Sequence, residues 1–152
     1  NLSGRAFEDP QLLTLIREEL ERTGVNPHNL ILEITETAAI KDLDTACQFI
    51  ETLRALGCRF AIDDFGTGFA SLYYVKRLPV DYLKIDGSFI TNLRRDPVDQ
   101  QLVRAIVGVA RGLGKQTVAE FVGDEETVQL LQELGVDFAQ GYHIGRPRPL
   151  DA

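Results

Sequence analysis

Two cysteines, Cys47 and Cys58, are all that 152 residues contain. Each falls inside an apolar-periodic segment, which rules against a disulfide framework or a zinc site and predicts two reduced core thiols. No run of eighteen apolar residues occurs, and the first residues are Asn1-Leu2-Ser3 rather than a basic stretch leading into an apolar one. Neither a membrane span nor an intact secretion signal is expected, nor any membrane contact from this segment. Those absences predict a cytoplasmic protein, whose parent could still be anchored through other segments. Basic residues are also scarce: 16 Lys and Arg stand against 23 Asp and Glu, a formal net charge of −7. That balance excludes polymeric nucleic acid as a partner, since such binding needs cationic side chains to neutralise phosphates. No apolar run is followed by G-x-G-x-x-G or a P-loop, so the common phosphate cradles are missing too. Any phosphate chemistry here must recruit its own cations.

What is present is a repeated beat. Hydrophobic residues make up 44% of the chain, enough for one well-buried core and one domain. Asp9-Pro10 supplies N-cap and first-turn chemistry to a helix carrying Leu12, Leu13, Ile16 and Leu20 on one face, stopped at Gly24. A second helix follows Asp42 with Leu43, Ala46, Phe49, Ile50 and Leu53, and stops at Gly57. A short helical turn is expected near Ser71 to Leu78. Further helices start at Asp96-Pro97 and at Asp124, stopping at Gly114 and Gly135. Between them lie five β-rich runs: Leu30–Thr35, Cys58–Asp63, Tyr82–Asp86, Gln116–Glu120 and Val136–Gln140. A sixth strand would end at Asn1. Strands alternating with crossover helices imply an α/β fold with a parallel sheet. A full (β/α)8 barrel needs about 250 residues, so the chain is read as a single incomplete domain, 1–152, with its N-terminal strands and helices missing. An open doubly wound sheet is the competing architecture.

Polar residues gather where these strands end, the edge at which parallel α/β folds build active sites. Glu33 and Glu36 close the first strand, Asp63 and Asp64 the second, Lys84 and Asp86 the third, Glu120 the fourth and Gln140 the fifth. Crowded carboxylates cost several kcal/mol unless protons, a lysine or metal ions offset them. Hard divalent cations suit oxygen donors, and adjacent Asp63-Asp64 suits a bridge between two of them. Each residue alone has a plainer account. Asp63-Asp64 before Phe65-Gly66-Thr67-Gly68 could be turn chemistry. Glu33 and Glu36 could cap a helix or face solvent. Lys84 could be a Schiff-base nucleophile or the ion-pair partner of Asp86. His28 and His143 lack metal-ligand spacing and read as loop residues.

Taken in order, Leu32-Glu33-Ile34-Thr35-Glu36, Asp63-Asp64-Phe65-Gly66-Thr67-Gly68, Leu78-Pro79-Val80-Asp81, Leu83-Lys84-Ile85-Asp86, Val118-Ala119-Glu120 and Gln140-Gly141-Tyr142 with Arg146-Pro147 resemble the EAL-domain family of cyclic di-GMP phosphodiesterases. The resemblance runs from Asn1 to about Pro149. It implies a TIM-like barrel that hydrolyses cyclic di-GMP to linear pGpG with two divalent cations, Mg2+ or Mn2+. By the same resemblance Asn1, Glu33 and Asp63 would hold one metal, and Asp63, Asp64 and Glu120 the other. Lys84 and Gln140 would act with Glu120 at the attacking water. Glu36 would anchor the loop from Asp63 through Phe65, Gly66, Thr67 and Gly68, while Asp86, Arg146 and Pro147 would support the loops or the substrate. A homodimeric parent with upstream sensory or GGDEF-type domains is also implied.

Three departures from the family pattern stand out. The Glu-Ala-Leu segment is expected upstream of Asn1. Phe121-Val122-Gly123 replaces the usual Gly-Val-Glu, which bears on loop geometry, and Ile144-Gly145 replaces the commoner Phe-Ser. Two rival readings remain: a catalytically silent EAL module acting as a cyclic di-GMP sensor or interaction domain, and an aldolase-like barrel using Lys84 covalently.

Overall fold

A computed structural model describes residues 1–67 and 72–149, apart from the side chain of Pro10. Gly68 and Ser71 lie outside the described residues. The chain divides into two compact units, Asn1–Leu83 and Lys84–Ala152.

In the first unit, α1 (Pro10–Thr23) begins where Asp9 accepts the Gln11 N–H at 2.9 Å, with proline at its first position. β1 (Ile31–Thr35) pairs in parallel with β2 (Arg59–Phe65), in a register that sets Glu33 opposite Ala61 and Thr35 opposite Asp63. The expected sixth strand is reduced to one parallel bridge, Leu2 to Ile34, with the Leu2 N–H donating to the Glu33 carbonyl at 2.7 Å. α2 (Glu36–Lys41) and α3 (Leu43–Ala55) follow β1, and α4 (Leu72–Arg77) follows β2.

α2 corrects the sequence reading of Glu36. The Thr35 hydroxyl caps this helix by accepting the Ala38 N–H at 3.3 Å, so Glu36 opens a helix rather than closing a strand. On α3 the apolar stripe behaves as its spacing predicts: Leu43, Ala46, Phe49, Ile50 and Leu53 are all buried. Phe49 meets Phe7 and Phe60 edge-on, at centroid distances of 5.4 and 6.4 Å. Phe60, Ala61 and Ile62 are consecutive and all buried, the signature of a strand covered on both faces.

The second unit holds the end of β3 (Tyr82–Ile85), β4 (Gln116–Ala119) and β5 (Phe138–Ala139), the last two paired in parallel. α5 (Gly87–Ile90), α6 (Pro97–Gly112) and α7 (Glu125–Leu134) complete it around a core of Ile85, Leu93, Val103, Val107, Ala119 and Leu131. α5 was not anticipated, although Asp86 carries its signal by accepting the Ser88 N–H at 2.9 Å. β5 is shorter than the expected Val136–Gln140, and Gln140 lies just past its end.

One device recurs in both units. Asp81, just before β3, accepts the Phe60 N–H at 2.9 Å and pairs with Arg54 at 3.0 Å. Asp137, just before β5, accepts the Thr117 N–H at 2.8 Å and the Thr117 hydroxyl at 2.9 Å. In each case an acid satisfies the amide of the second residue of a neighbouring strand and helps fix where pairing starts, and hence which residues reach the strand's far end.

Candidate functional site

In the first unit the site is built by register. Because side chains alternate along a strand, the pairing of Glu33 with Ala61 and of Thr35 with Asp63 puts Glu33 and Asp63 on one face of the sheet. The Leu2 bridge then delivers Asn1 to the same place. One end of its amide stands 2.8 Å from Glu33 Oε2 and 3.2 Å from Asp63 Oδ2. With nitrogen turned there, Asn1 donates to both carboxylates. With oxygen turned there, three oxygen atoms face one another, an arrangement that suits a hard divalent cation and no soft metal. By donor chemistry and spacing, these residues fit such an ion.

Asp64 follows with φ +55°, the left-handed region that Asp tolerates better than most residues. Its carbonyl accepts from the Thr67 hydroxyl at 3.0 Å and, more weakly, from the Thr67 N–H at 3.4 Å. The plain reading of Asp63-Asp64 as turn chemistry is thus satisfied alongside the ligand reading. Asp64, Gly66 and Thr67 are exposed and Phe65 is buried. Glu36 is buried as well, in the first turn of α2.

In the second unit the central feature is a buried ion pair. Lys84 Nζ lies 2.9 Å from Glu120 Oε1, and the two side chains are 5% and 10% exposed. Sequence reasoning had offered Asp86 as the ion-pair partner. Asp86 instead caps α5, and the Glu120 N–H reaches the Ile85 carbonyl at 3.3 Å, setting Glu120 beside the end of β3. Two desolvated charges each lose several kcal/mol of hydration, so their close approach is what makes both tolerable. Gln140 is exposed, and its main chain ties to Ala119 and Val122. Arg146 lies 4.8 Å over the Tyr142 ring, and Pro147 is exposed. His143, read as a loop residue, pairs with Glu125 at 3.1 Å. Sequence reasoning missed the conformation of Phe121, whose φ is +55°; the replacement of a glycine at that position was the available signal.

Both cysteines are free, Cys58 buried and Cys47 only half-buried, and burial pushes both thiols above their ordinary range. No helix among the described residues is long and apolar enough to cross a membrane.

Comparison with known proteins places these residues in context. The EAL domain family model matches residues 1–147. A protein of Shewanella oneidensis named cyclic di-GMP phosphodiesterase PdeB is 43% identical over 150 residues, which is 99% of this chain and 18% of that protein. The chain thus spans less than a fifth of that relative's length. The PaMucR phosphodiesterase structure, a c-di-GMP complex from Pseudomonas aeruginosa, superposes with a TM-score of 0.90 at 44% identity, over 98% of this chain and 60% of that one. A manganese and cyclic di-GMP complex of BlrP1 from Klebsiella pneumoniae gives a TM-score of 0.88 at 30% identity, over 97% of this chain and 38% of the other. With ordered strand-end motifs, strands alternating with helices and this agreement across nearly its whole length, the chain belongs to the EAL domain family, whose fold is a TIM-like barrel.

Proposed function

We propose that this chain carries most of the active-site residues of a metal-dependent phosphodiesterase that opens cyclic di-GMP to linear pGpG. The observation that carries the reading is the meeting of Asn1, Glu33 and Asp63, three oxygen-bearing side chains delivered by separate segments. Family membership supports assigning Asp63, Asp64 and Glu120 to a second ion. Two divalent cations, Mg2+ or Mn2+, would draw charge from the phosphodiester and make a nearby water acidic enough to attack. The chain's own residues would do the rest. Glu33, Asp63 and Asp64 would fix the ions. Lys84 would orient the attacking water or neutralise phosphate charge, with Gln140 assisting. Water's oxygen would join phosphorus as the P–O3′ bond breaks, and the 3′ oxygen would leave with a proton.

A net charge of −7 repels a doubly anionic substrate, so binding as well as turnover should depend on cation. Glu36 would hold the Asp63–Gly68 loop, with Phe65, Gly66 and Thr67 shaping it, and Asp86, Arg146 and Pro147 would support or line the substrate end. A homodimer with further upstream domains belongs to the same proposal, as does a cytoplasmic location. The silent-module reading is disfavoured because every ligand position within the chain keeps an oxygen donor.

In the test, full-length protein with Mn2+ converts cyclic di-GMP to pGpG, EDTA stops the reaction, and Asp63→Asn abolishes turnover while the melting transition is kept. Turnover that survives chelation, or an active Asp63→Asn variant, refutes the proposal.

A further inference from the structure

The seam between β4 and β5 is too short to hold its own alignment firmly. Its regular ladder consists of two residue pairs, Val118 with Phe138 and Ala119 with Ala139. With so few hydrogen bonds to lose, such a ladder resists shear only weakly. Carried one step back, the same register sets Thr117 beside Asp137; carried one step on, it sets Glu120 beside Gln140. The rung that opens the seam and the rung that joins two candidate active-site residues are thus three residues apart on both strands.

At the opening rung, Thr117 and Asp137 grip each other in both directions. Asp137 Oδ2 accepts the Thr117 N–H at 2.8 Å and the Thr117 hydroxyl at 2.9 Å, while that hydroxyl accepts the Asp137 N–H at 3.2 Å. Thr117 has no exposed surface, and a hydroxyl buried there costs stability unless it is bonded. Valine would fill the same space without that requirement. The hydroxyl serves as donor and acceptor at once, so neither strand can slide past the other without breaking a buried bond.

At the far rung, the Gln140 N–H donates to the Ala119 carbonyl at 2.8 Å and the Val122 N–H donates to the Gln140 carbonyl at 3.0 Å. Gly141 follows at a place where a Cβ would overlap the Val122 backbone. A whole-residue slip would put Gln140 or Tyr142 there, and is sterically barred. What the Thr117–Asp137 clamp controls is the smaller displacement that this stop leaves open. Glu120 is held by Lys84 at 2.9 Å, so such a displacement would carry Gln140 out of line with that pair.

We propose that Thr117, through its reciprocal bonding with Asp137, is a positioning residue that keeps Gln140 level with the Lys84–Glu120 pair. The inference rests on the phosphodiesterase reading, in which Lys84, Glu120 and Gln140 act together at the attacking water. Misalignment at the reacting centre slows chemistry more than it weakens binding, so it should appear in kcat with KM little changed.

The test uses full-length protein with saturating Mn2+ and compares wild type with Thr117→Val, Thr117→Ser and Val103→Ala, at a temperature where circular dichroism shows each to be folded. Valine removes the hydroxyl and keeps the volume, and serine keeps the hydroxyl. Val103→Ala opens a cavity on α6 with the clamp's groups in place, which controls for general loss of stability. In Thr117→Val, kcat for cyclic di-GMP should fall about 5- to 50-fold with KM within about twofold, while serine and Val103→Ala keep kcat within about threefold of wild type. Wild-type kcat in Thr117→Val overturns the proposal, as does a loss that serine fails to restore, that Val103→Ala reproduces, or that lies in KM alone. If the valine variant does not fold, Asp137→Ala breaks the clamp from its exposed side and should lower kcat by a similar factor; wild-type kcat there overturns the proposal too. If wild-type protein neither binds nor hydrolyses cyclic di-GMP, the phosphodiesterase reading fails and this inference fails with it. If wild type turns the substrate over and the clamp variants match it, only the positioning role is lost.

Discussion

Replacing Lys84 by methionine would remove one charge of a buried pair and keep most of the side-chain volume. Glu120 would then be left with its carboxylate 10% exposed and the ammonium that stood 2.9 Å away gone. Breaking such a pair costs about 3–5 kcal/mol, because the surviving charge stays desolvated. An escape route limits the loss: a carboxyl group can take up a proton, which at pH 7 costs about 3.7 kcal/mol for an ordinary glutamate. The expected destabilisation at pH 7 in EDTA is therefore about 3–4 kcal/mol, or roughly 6–16 °C in Tm for a domain of this class. It should shrink by about 1.4 kcal/mol for each pH unit lowered toward 5, since protonation becomes easier.

Two further measurements sharpen the test. Adding Mn2+ should recover part of the loss in Lys84→Met, because a bound cation gives Glu120 a new counter-charge. A double-mutant cycle with Glu120→Leu should show strong coupling, with the double variant more stable than Lys84→Met alone. Calorimetry or denaturant melts would read all of this. A fall in Tm under about 3 °C at pH 7 in EDTA would refute the buried-pair argument.

Two other perturbations address the scaffold. Asp137→Ala leaves the fully buried Thr117 without the carboxylate that accepts its N–H and hydroxyl, so a urea melt should show a loss of about 1–3 kcal/mol, less for Asp137→Asn; an unchanged midpoint would contradict the strand-start role. Asp124 caps α7, and hydrogen bonds from the Thr127 hydroxyl and N–H hold its carboxyl below the usual range. Its contribution is thus present above the ordinary carboxylate range and lost as pH falls through the lowered folded value. Wild type should be more stable than Asp124→Asn at pH 7, with the gap closing in acid, and a gap independent of pH would count against this assignment.

Much of this was legible in the sequence because it depends on short-range chemistry. Asp-Pro starts, apolar stripes at three-and-four spacing and terminal glycines located α1, α3, α6 and α7, and each of the five β-rich runs became a strand. The ordered motifs also identified the family, since several of them in succession are far more specific than any one alone. Where the reading failed, two signals competed. Glu36 looked like the end of a strand because an apolar run precedes it, yet Thr35 already carried the cap that turns the chain into α2.

Which charges meet was decided only by tertiary structure. From sequence spacing Asp86 was as good a partner for Lys84 as any, and only folding brought Glu120, 36 positions away, to 2.9 Å. Register likewise aligned Glu33 with Asp63, a single bridge at Leu2 brought Asn1 to them, and the pinning of Val122 to Gln140 turned Phe121 outward. Local propensity acts over one or two turns of chain. A hydrogen-bond register between distant strands is a long-range choice, made by burying whole apolar faces at once, and it alone settles which side chains share a site.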